Sequence, residues 1–351
     1  MNIWEPIKVG HMNLEHRLAM APMTRSRAEV DGTPSPLAAE YYSQRASMGL
    51  LIAEGTQPSD DGQGYTNTPG IYTDAHVEGW KRVTSAVHAA GGHLFIQLMH
   101  VGRMAHPDNT PHHRQPVAPS AIAAGQKIFT AAGMQDMATP RALTKEDIEA
   151  TVQDFRLAAA RAIEAGADGV EIHGANGYLI QQFLAPNANL RTDEYGGSIE
   201  NRTRFAVEVA EAIVREIGAE RTAIRLSPGS TLGGIDEGAQ TAAIYRELVA
   251  RLAPLGLAYL HVAQGSDEDL LKDIRRLWPS TLLVNRPNRA LETIGADIES
   301  GLADMVSVAR WALANPDFVE RLRTGAPLNA ADPTTFFAGG ARGYIDYPAL
   351  A

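Results

Sequence analysis

Residues 144–172 read TKEDIEATVQDFRLAAARAIEAGADGVEI, and this stretch decides the fold. Apolar residues recur at helical spacing from Lys145 to Glu164, which predicts an amphipathic helix over that range. Thr144 and Asp147 form an N-cap-like pair at its start. The short apolar run Gly169–Ile172 follows and predicts a buried strand. The stretch is therefore a helix followed by a strand, the repeating unit of α/β folds.

The same alternation of short apolar runs and longer amphipathic runs covers the rest of the chain. Eight runs are candidate strands: Arg17–Ala21, Leu50–Ala53, Leu94–Leu98, Gly169–Ile172, Ala223–Leu226, Tyr259–Val262, Leu282–Val284 and Met305–Val308. Eight βα repeats in order favour a closed (β/α)8 TIM barrel over an open doubly wound sheet. No composition shift marks a boundary, so we expect a single domain spanning residues 1–351.

Two segments are longer than a βα barrel requires. Residues 99–143, after the third strand, are rich in His, Pro, Gly and Ala, and we expect them to fold over the site as a cap. Residues 332–351 carry Phe336, Phe337 and several glycines, and we expect this C-terminal loop to return to the barrel mouth.

Composition narrows the classes of function. The formal net charge of -10 disfavours nucleic acid and anionic membrane surfaces as partners. The absence of cysteine excludes disulfides, thiolate metal sites and cysteine nucleophiles. The N-terminus lacks the basic flank and apolar run of a signal peptide, and no stretch approaches a membrane span in length. We expect a cytoplasmic enzyme. Its oligomeric state is not determined by the sequence, and a homodimer is one alternative.

Functional groups of barrel enzymes lie at the carboxyl ends of the strands. Most of the residues at those positions are polar, so polar groups concentrate at one rim: Pro22, Met23, Thr24, Glu54, Gly55, Thr56, Gln97, His100, His173, Asn176, Tyr178, Arg225, Asn285, Arg286, Ala309 and Arg310. This concentration predicts an active site at that rim.

The run from His173 to Tyr178, HGANGY, is the most informative motif. Imidazole and carboxamide donors from His173 and Asn176 can hold a substrate oxygen and stabilise negative charge on it. Tyr178 can then act as a weak acid. The alternative is a structural histidine and a core tyrosine. Arg225 lies in a strand whose other residues are typical of a buried strand. A buried guanidinium needs an acceptor, so an anionic ligand or an internal carboxylate must face it.

These motifs resemble the Old Yellow Enzyme family over residues 5–350. The resemblance rests on Pro22–Arg25, on Gln97 with His100, on residues 173–179, and on residues 187–202 with the run RTDEYGGS. It implies FMN bound at the barrel mouth, reduced by NADPH or NADH and reoxidised by an activated alkene.

The resemblance also implies residue roles. The implied FMN-binding residues are Pro22, Met23, Thr24, Gly55, Gln97, Arg225, Asn285, Arg286, Ala309 and Arg310. Of these, Thr24 would hydrogen-bond the flavin carbonyl beside N5, and Gln97 and Arg225 would contact the pyrimidine edge. The last four would surround the phosphate.

On the substrate side, His173 and Asn176 would bind a carbonyl or nitro oxygen, and Tyr178 would protonate the α-carbon after hydride reaches the β-carbon. Tyr65, Met99 and Phe337 would complete the pocket. The implied substrates are α,β-unsaturated carbonyl compounds, maleimides, nitro compounds, nitrate esters and quinones.

The chain departs from the family pattern at several positions. Met99 stands where many relatives have a bulky aromatic residue, and Phe337 where some have tyrosine. Ala309 replaces a common glycine, Asn285–Pro287 replaces a glycine-rich turn, and His16–Arg17 replaces Asn-Arg. The substrate range and the phosphate contacts therefore follow less directly from the resemblance than the reaction type does.

Other classes fit the residues less well. A Schiff-base aldolase needs a lysine at a strand end, and none of Lys8, Lys81, Lys127, Lys145 and Lys272 falls there. A metal-dependent hydrolase would draw on His100, His106, His112 and His113, but no carboxylates are arranged with them, and we expect no metal. A flavin-binding protein without catalytic activity is a remaining alternative, although it would give the HGANGY motif no function. No GxGxxG follows a strand, so no tightly bound Rossmann-type dinucleotide is indicated.

Overall fold

The computed structural model describes residues 1–263 and 267–350, so Ala351, the last residue of the predicted C-terminal loop, lies outside the described residues. The described strands are β1 Ile7–Val9, β2 Met12–Leu14, β3 Leu18–Met20, β4 Leu50–Ile52, β5 Leu94–Leu98, β6 Val117–Ala118, β7 Lys127–Thr130, β8 Gly133–Asp136, β9 Arg141–Ala142, β10 Gly169–Gly174, β11 Thr222–Leu226, β12 Tyr259–Ala263, β13 Thr281–Asn285 and β14 Met305–Val308. The described helices are α1 Pro36–Ser43, α2 Asp74–Ala89, α3 Lys145–Glu164, α4 Leu179–Leu184, α5 Ile199–Ile217, α6 Thr241–Leu252, α7 Glu268–Leu277, α8 Ala296–Glu299, α9 Arg310–Ala314 and α10 Phe318–Thr324.

Eight parallel strands close into a barrel, which confirms the predicted fold. The order is β3, β4, β5, β10, β11, β12, β13 and β14, and β14 pairs with β3. Each of the eight candidate strands is present. The predicted helix is α3, and Thr144 and Asp147 form a reciprocal capping box at its start.

The inward-facing side chains change character along the barrel strands. One buried apolar cluster includes Phe95, Ala223, Tyr259, Leu283 and Met305. Two residues further along the same strands stand Gln97, Arg225, His261, Asn285 and Ser307. Because side chains two residues apart in a strand face the same side, the barrel interior is apolar at its amino end and polar at its carboxyl end.

A hairpin that the sequence reasoning missed covers the apolar end. Strands β1 and β2 pair antiparallel before the barrel begins. Val9, Met12 and Leu14 belong to the same apolar cluster as the barrel interior and are at most 2% exposed. The hairpin therefore closes the amino end of the barrel, away from the polar end.

The excursion of residues 99–143 forms small pieces of sheet. Strands β6 and β9 pair in parallel, and β7 and β8 form an antiparallel hairpin. Its buried apolar side chains cluster with Met99, and Tyr65 and Tyr178 pack against that cluster. The excursion thus lies against the polar end of the barrel, and its role as a cap stays a prediction. No helix among residues 1–263 and 267–350 is long and apolar enough to cross a membrane.

Candidate active site

A cavity of about 270 Å³ opens at the carboxyl end of the barrel. Its lining consists of Pro22, Met23, Thr24, Gln97, Met99, His173, Asn176, Tyr178, Arg225, Ala309, Arg310, Leu313, Phe336 and Phe337. A second cavity of about 300 Å³ shares Ala309 and Arg310 with the first and extends over the loops after β13 and β14. The structure therefore brings most of the predicted site residues into one two-part groove. Leu313 and Phe336 are added to the predicted set.

The His173–Tyr178 motif is held by a sharp turn at the end of β10. Asn176 and Gly177 both have left-handed φ angles, +57° and +80°. The Asn176 backbone N–H donates to Ser227 Oγ at 2.8 Å, and the Gly177 N–H donates to Gln181 Oε1 at 2.8 Å. The turn leaves the Asn176 side chain facing the cavity.

His173 is a neutral hydrogen-bond donor. Burial lowers its pKa well below the ordinary value, and the charge of neighbouring Arg225 lowers it further. The ring accepts a hydrogen bond at Nδ1 from the Ala175 backbone N–H at 3.3 Å. The proton of the neutral ring is therefore on Nε2, where it can be donated to a ligand in the cavity.

Tyr178 lies between His173 and Tyr65. Its hydroxyl is 3.1 Å from the Tyr65 hydroxyl, and its ring packs edge-on to the His173 ring at 4.8 Å. Burial raises the pKa of Tyr178 well above the usual value, and the Tyr65 contact adds to that shift. Tyr178 thus stays protonated at neutral pH. Tyr65 contacts Tyr178 and does not belong to the cavity lining itself.

Gly55 and Met99 are coupled. A Cβ atom at Gly55 would lie 2.5 Å from the Met99 Sδ. Gly55 does not line the cavity, and the Met99 side chain, which does, occupies the space that a Cβ atom at Gly55 would need. Met99 itself reaches the cavity, although it is only 2% exposed.

Of the four predicted phosphate residues, Arg286 is already occupied. Its Nε donates to Asp297 Oδ2 at 2.9 Å, and its Nη2 donates to Glu268 Oε2 at 3.0 Å. Those carboxylates come from α8 and α7. Arg310 is exposed, and its Nη2 donates a 3.4 Å hydrogen bond to Asn288 Oδ1. Arg310 is therefore the arginine more available to an anion in the second cavity.

The C-terminal segment forms one wall of the first cavity through Phe336 and Phe337. Arg25 donates to the main-chain oxygens of Phe336 at 3.0 Å and Gly343 at 2.7 Å. Arg27 also donates to main-chain oxygens of this segment: Thr335, Phe336, Ala338, Gly340 and Arg342. Since Arg25 directly follows Thr24, the same loop lines the cavity and anchors its far wall.

The residues that a Schiff-base aldolase or a metal-dependent hydrolase would need lie outside the two cavities. The five lysines are on the surface, outside both cavities. His100 is buried with a pKa of about 4 because of desolvation, and it accepts a hydrogen bond from the Gly102 N–H within its own turn. Among residues 1–263 and 267–350, no three His, Asp or Glu side chains are grouped so that they could hold a metal ion.

Known proteins are similar to this chain along almost its whole length. The profile of the NADH:flavin oxidoreductase / NADH oxidase family matches residues 2–329. The chain belongs to this family. 12-Oxophytodienoate reductase 2 of Arabidopsis thaliana is 41% identical to this flavin oxidoreductase, over 98% of this chain and 95% of the relative. A probable flavin mononucleotide-dependent alkene reductase of Leishmania infantum is 42% identical, over 98% and 96%.

Solved structures agree with the sequence relatives. Morphinone reductase in complex with tetrahydroNAD matches with a TM-score of 0.96 and 43% identity, covering 100% of this chain and 98% of that chain. An old yellow enzyme homologue from Zymomonas mobilis matches with a TM-score of 0.96 and 39% identity over 100% of both chains. The resemblance to the Old Yellow Enzyme family is confirmed. This flavin oxidoreductase is an FMN-dependent, NAD(P)H-using enzyme of the ene-reductase type.

The residues present fit FMN. Arg225 lines the cavity at 7% exposure, and its Nε has no hydrogen-bond partner among the residues that the structure describes. A buried guanidinium N–H without an acceptor is costly, so a polar ligand is expected to supply one. Thr24 and Gln97 line the same cavity, and Arg310 lies where the two cavities join. The donor set therefore suits a flat polar ring in the first cavity and an anionic group in the second.

Proposed function

We propose that this flavin oxidoreductase reduces the C=C bond of α,β-unsaturated carbonyl compounds. We include maleimides, nitro compounds, nitrate esters and quinones among its electron acceptors. The observation that carries the proposal is the convergence of His173, Asn176 and Tyr178 on one cavity that also contains Arg225. The relatives, an alkene reductase and a 12-oxophytodienoate reductase, support the same reaction class.

The chemistry that bound FMN supplies is storage of a hydride from reduced nicotinamide and its transfer to an electron-poor carbon. Thr24, Gln97 and Arg225 would hold the ring in the first cavity. Pro22, Met23 and, behind Met99, Gly55 would shape its border. We place the phosphate beside Arg310, Ala309 and Asn285. Arg286 supports that loop from outside through its ion pairs.

The protein residues act on the substrate as follows. His173 Nε2–H and the Asn176 amide donate to the substrate oxygen, which draws electron density from the double bond. Tyr178 then gives its proton to the α-carbon. Because His173 is neutral, it polarises the oxygen without surrendering a proton there. Met99 and Phe337 limit the shape of the substrate beyond the reacting atoms.

The test separates the two half-reactions by anaerobic stopped-flow spectrophotometry. The purified protein should be yellow, NADPH or NADH should bleach it, and an enone should restore the colour. The acceptor series is an enone, a maleimide, a quinone and a nitrate ester. A protein that cannot be reconstituted with FMN contradicts the proposal, and so does a reduced protein that no acceptor reoxidises.

The variant that isolates the substrate site is His173→Ala with Asn176→Ala. We expect it to slow reoxidation by the enone by about 10²-fold or more, since both donors to the oxygen are lost. Phenol binding should weaken, while reduction by the nicotinamide stays measurable. Equal loss of both half-reactions would instead indicate damaged flavin binding.

A further inference from the structure

A buried polar cluster fills the barrel directly under the first cavity. Its centre is Glu171, which is 0% exposed and projects from the middle of β10. Glu171 Oε1 accepts a hydrogen bond from Gln97 Nε2 at 2.7 Å. Glu171 Oε2 is 2.8 Å from His261 Nδ1, and His261 Nε2 is 2.9 Å from Ser307 Oγ. This chain of contacts crosses the barrel from β5 to β14.

The cluster determines which way the Gln97 amide points. A carboxylate only accepts hydrogen bonds, so the group facing Glu171 must be the amide nitrogen of Gln97. The amide oxygen of Gln97 is then available to the cavity that this residue lines. An acceptor at that position suits an N–H group on a polar ring.

The same carboxylate balances a buried charge. Arg225 lies on β11, adjacent to β10, and Glu171 is its largest favourable electrostatic partner. His261 carries its proton on Nδ1, because Glu171 accepts there. Burial lowers the pKa of His261, so the ring is neutral and adds no charge at neutral pH. His173, on the other side of Arg225, is neutral as well.

We infer that Glu171 is a positioning and charge-balancing residue for the flavin site, which fixes the Gln97 amide and offsets the charge of Arg225. This inference rests on the proposed contacts of Gln97 and Arg225 with FMN. Because the Glu171 carboxylate faces Arg225, Arg225 contributes less net attraction to the negative charge that the cofactor gains on reduction. Glu171 thereby holds the midpoint potential of the bound flavin lower than Arg225 alone would set it.

Glu171→Gln isolates the charge. The glutamine amide has the same size, its oxygen can accept from Gln97, and its nitrogen can donate to His261 Nδ1. His261 would then carry its proton on Nε2 and donate to Ser307, so the three hydrogen bonds that link Gln97, position 171, His261 and Ser307 can be kept. The only necessary change is loss of one negative charge beside Arg225.

The experiment measures the midpoint potential of the FMN-loaded protein against a reference dye during slow anaerobic reduction. We expect Glu171→Gln to favour the reduced form at least tenfold, which is a positive shift of about 30 mV for two electrons. The matched control is Glu208→Gln, a half-buried carboxylate on α5 that hydrogen-bonds Tyr195. That control should keep the wild-type potential.

The outcomes are distinguishable. A wild-type protein that does not bind FMN refutes the proposed function. FMN-loaded Glu171→Gln with the wild-type potential, or an equal shift in Glu208→Gln, refutes the inference and leaves the function intact. If Glu171→Gln does not fold, Glu171→Asp tests the positioning role in its place. It keeps the charge but cannot reach Gln97, so FMN should be released more readily on dilution while the potential stays near wild type. Unchanged FMN retention in Glu171→Asp would overturn the positioning role.

Discussion

Tyr178 keeps its proton because its phenol is buried beside a second phenol. Ionising Tyr178 would place a negative charge in the cavity, and Tyr65 raises that cost. The edge-on packing against His173 brings the acid and the oxygen-binding imidazole to the same cavity. The two functions are thus held together by direct contact between the rings.

Tyr178→Phe should slow reoxidation by an enone by roughly 10²-fold or more, because the α-carbon loses its acid. Reoxidation by a quinone, which is protonated at oxygen, should change little. Stopped-flow traces with the two acceptors measure the difference. Tyr195→Phe, whose hydroxyl donates to Glu208 outside the cavity, is the matched control and should behave as wild type. Equal slowing of both acceptors in Tyr178→Phe would show that Tyr178 is not the specific acid.

The Gly55–Met99 contact predicts a compensating pair. Gly55→Ala should lower the free energy of unfolding by about 1–3 kcal/mol, since the new methyl group overlaps the Met99 thioether. Adding Met99→Ala removes the overlap, so the double variant should be more stable than the sum of the single changes predicts. Urea unfolding of the four proteins measures the coupling. Strict additivity would mean that the two side chains adjust independently.

The sequence predicted the placement of residues at the cavity where they stand at strand ends. Because those ends converge at one rim, the positions of His173, Tyr178 and Arg225 followed from counting strands. Arg286 could not be assigned in the same way. Its two carboxylate partners lie on helices 18 residues before it and 11 residues after it, and only their packing brings them together. The sequence does contain a signal for Glu171, which is a charged residue in the middle of a buried strand.

At the scale of elements, the loop after β3 and the C-terminal segment act as one unit. Arg27 donates to main-chain oxygens between Thr335 and Arg342, and its guanidinium lies 4.6 Å from the ring centre of Tyr344. The strand and helix pattern predicted the barrel, but it gave no basis for this attachment. Hydrogen bonds to main-chain oxygens leave no pattern in side-chain composition.

Arg27→Ala should release the C-terminal segment. The lost charge-assisted hydrogen bonds contribute on the order of 2–3 kcal/mol. We expect faster amide hydrogen exchange in residues 332–350 and a higher KM for the alkene, because Phe336 and Phe337 lose their support. Arg215→Ala on the outer face of α5 is the control, as its side chain is 68% exposed. Unchanged exchange in Arg27→Ala would show that other contacts suffice to hold the segment.

On the scale of the whole molecule, the apolar cluster inside the barrel and the two cavities of the candidate site lie at opposite ends of the barrel. The β1–β2 hairpin and the apolar interior form one cluster at the amino end, and both cavities lie at the carboxyl end. Residues 7–14 alternate between apolar and polar side chains around Gly10, which is typical of a hairpin. This hairpin precedes the first βα repeat, so the count of βα repeats does not include it.

Leu14→Ala should therefore lower the free energy of unfolding by about 2–5 kcal/mol through cavity formation. The midpoint potential of the flavin and the rates of both half-reactions should stay at wild-type values below the unfolding temperature. Chemical denaturation and stopped-flow kinetics measure the two effects. Leu157→Ala, at a position 48% exposed, is the control for stability. Altered kinetics in folded Leu14→Ala would show that the two ends are coupled.

The anchoring of the C-terminal segment has an evolutionary consequence. Around positions 336 and 337, Arg25 and Arg27 donate their hydrogen bonds to main-chain oxygens, which every amino acid provides. The identity of the side chains at 336 and 337 is therefore free to drift without loosening the wall that they build. Substitutions at these two positions can therefore change which electrophilic substrates are accepted, while the barrel and its hydride chemistry are retained.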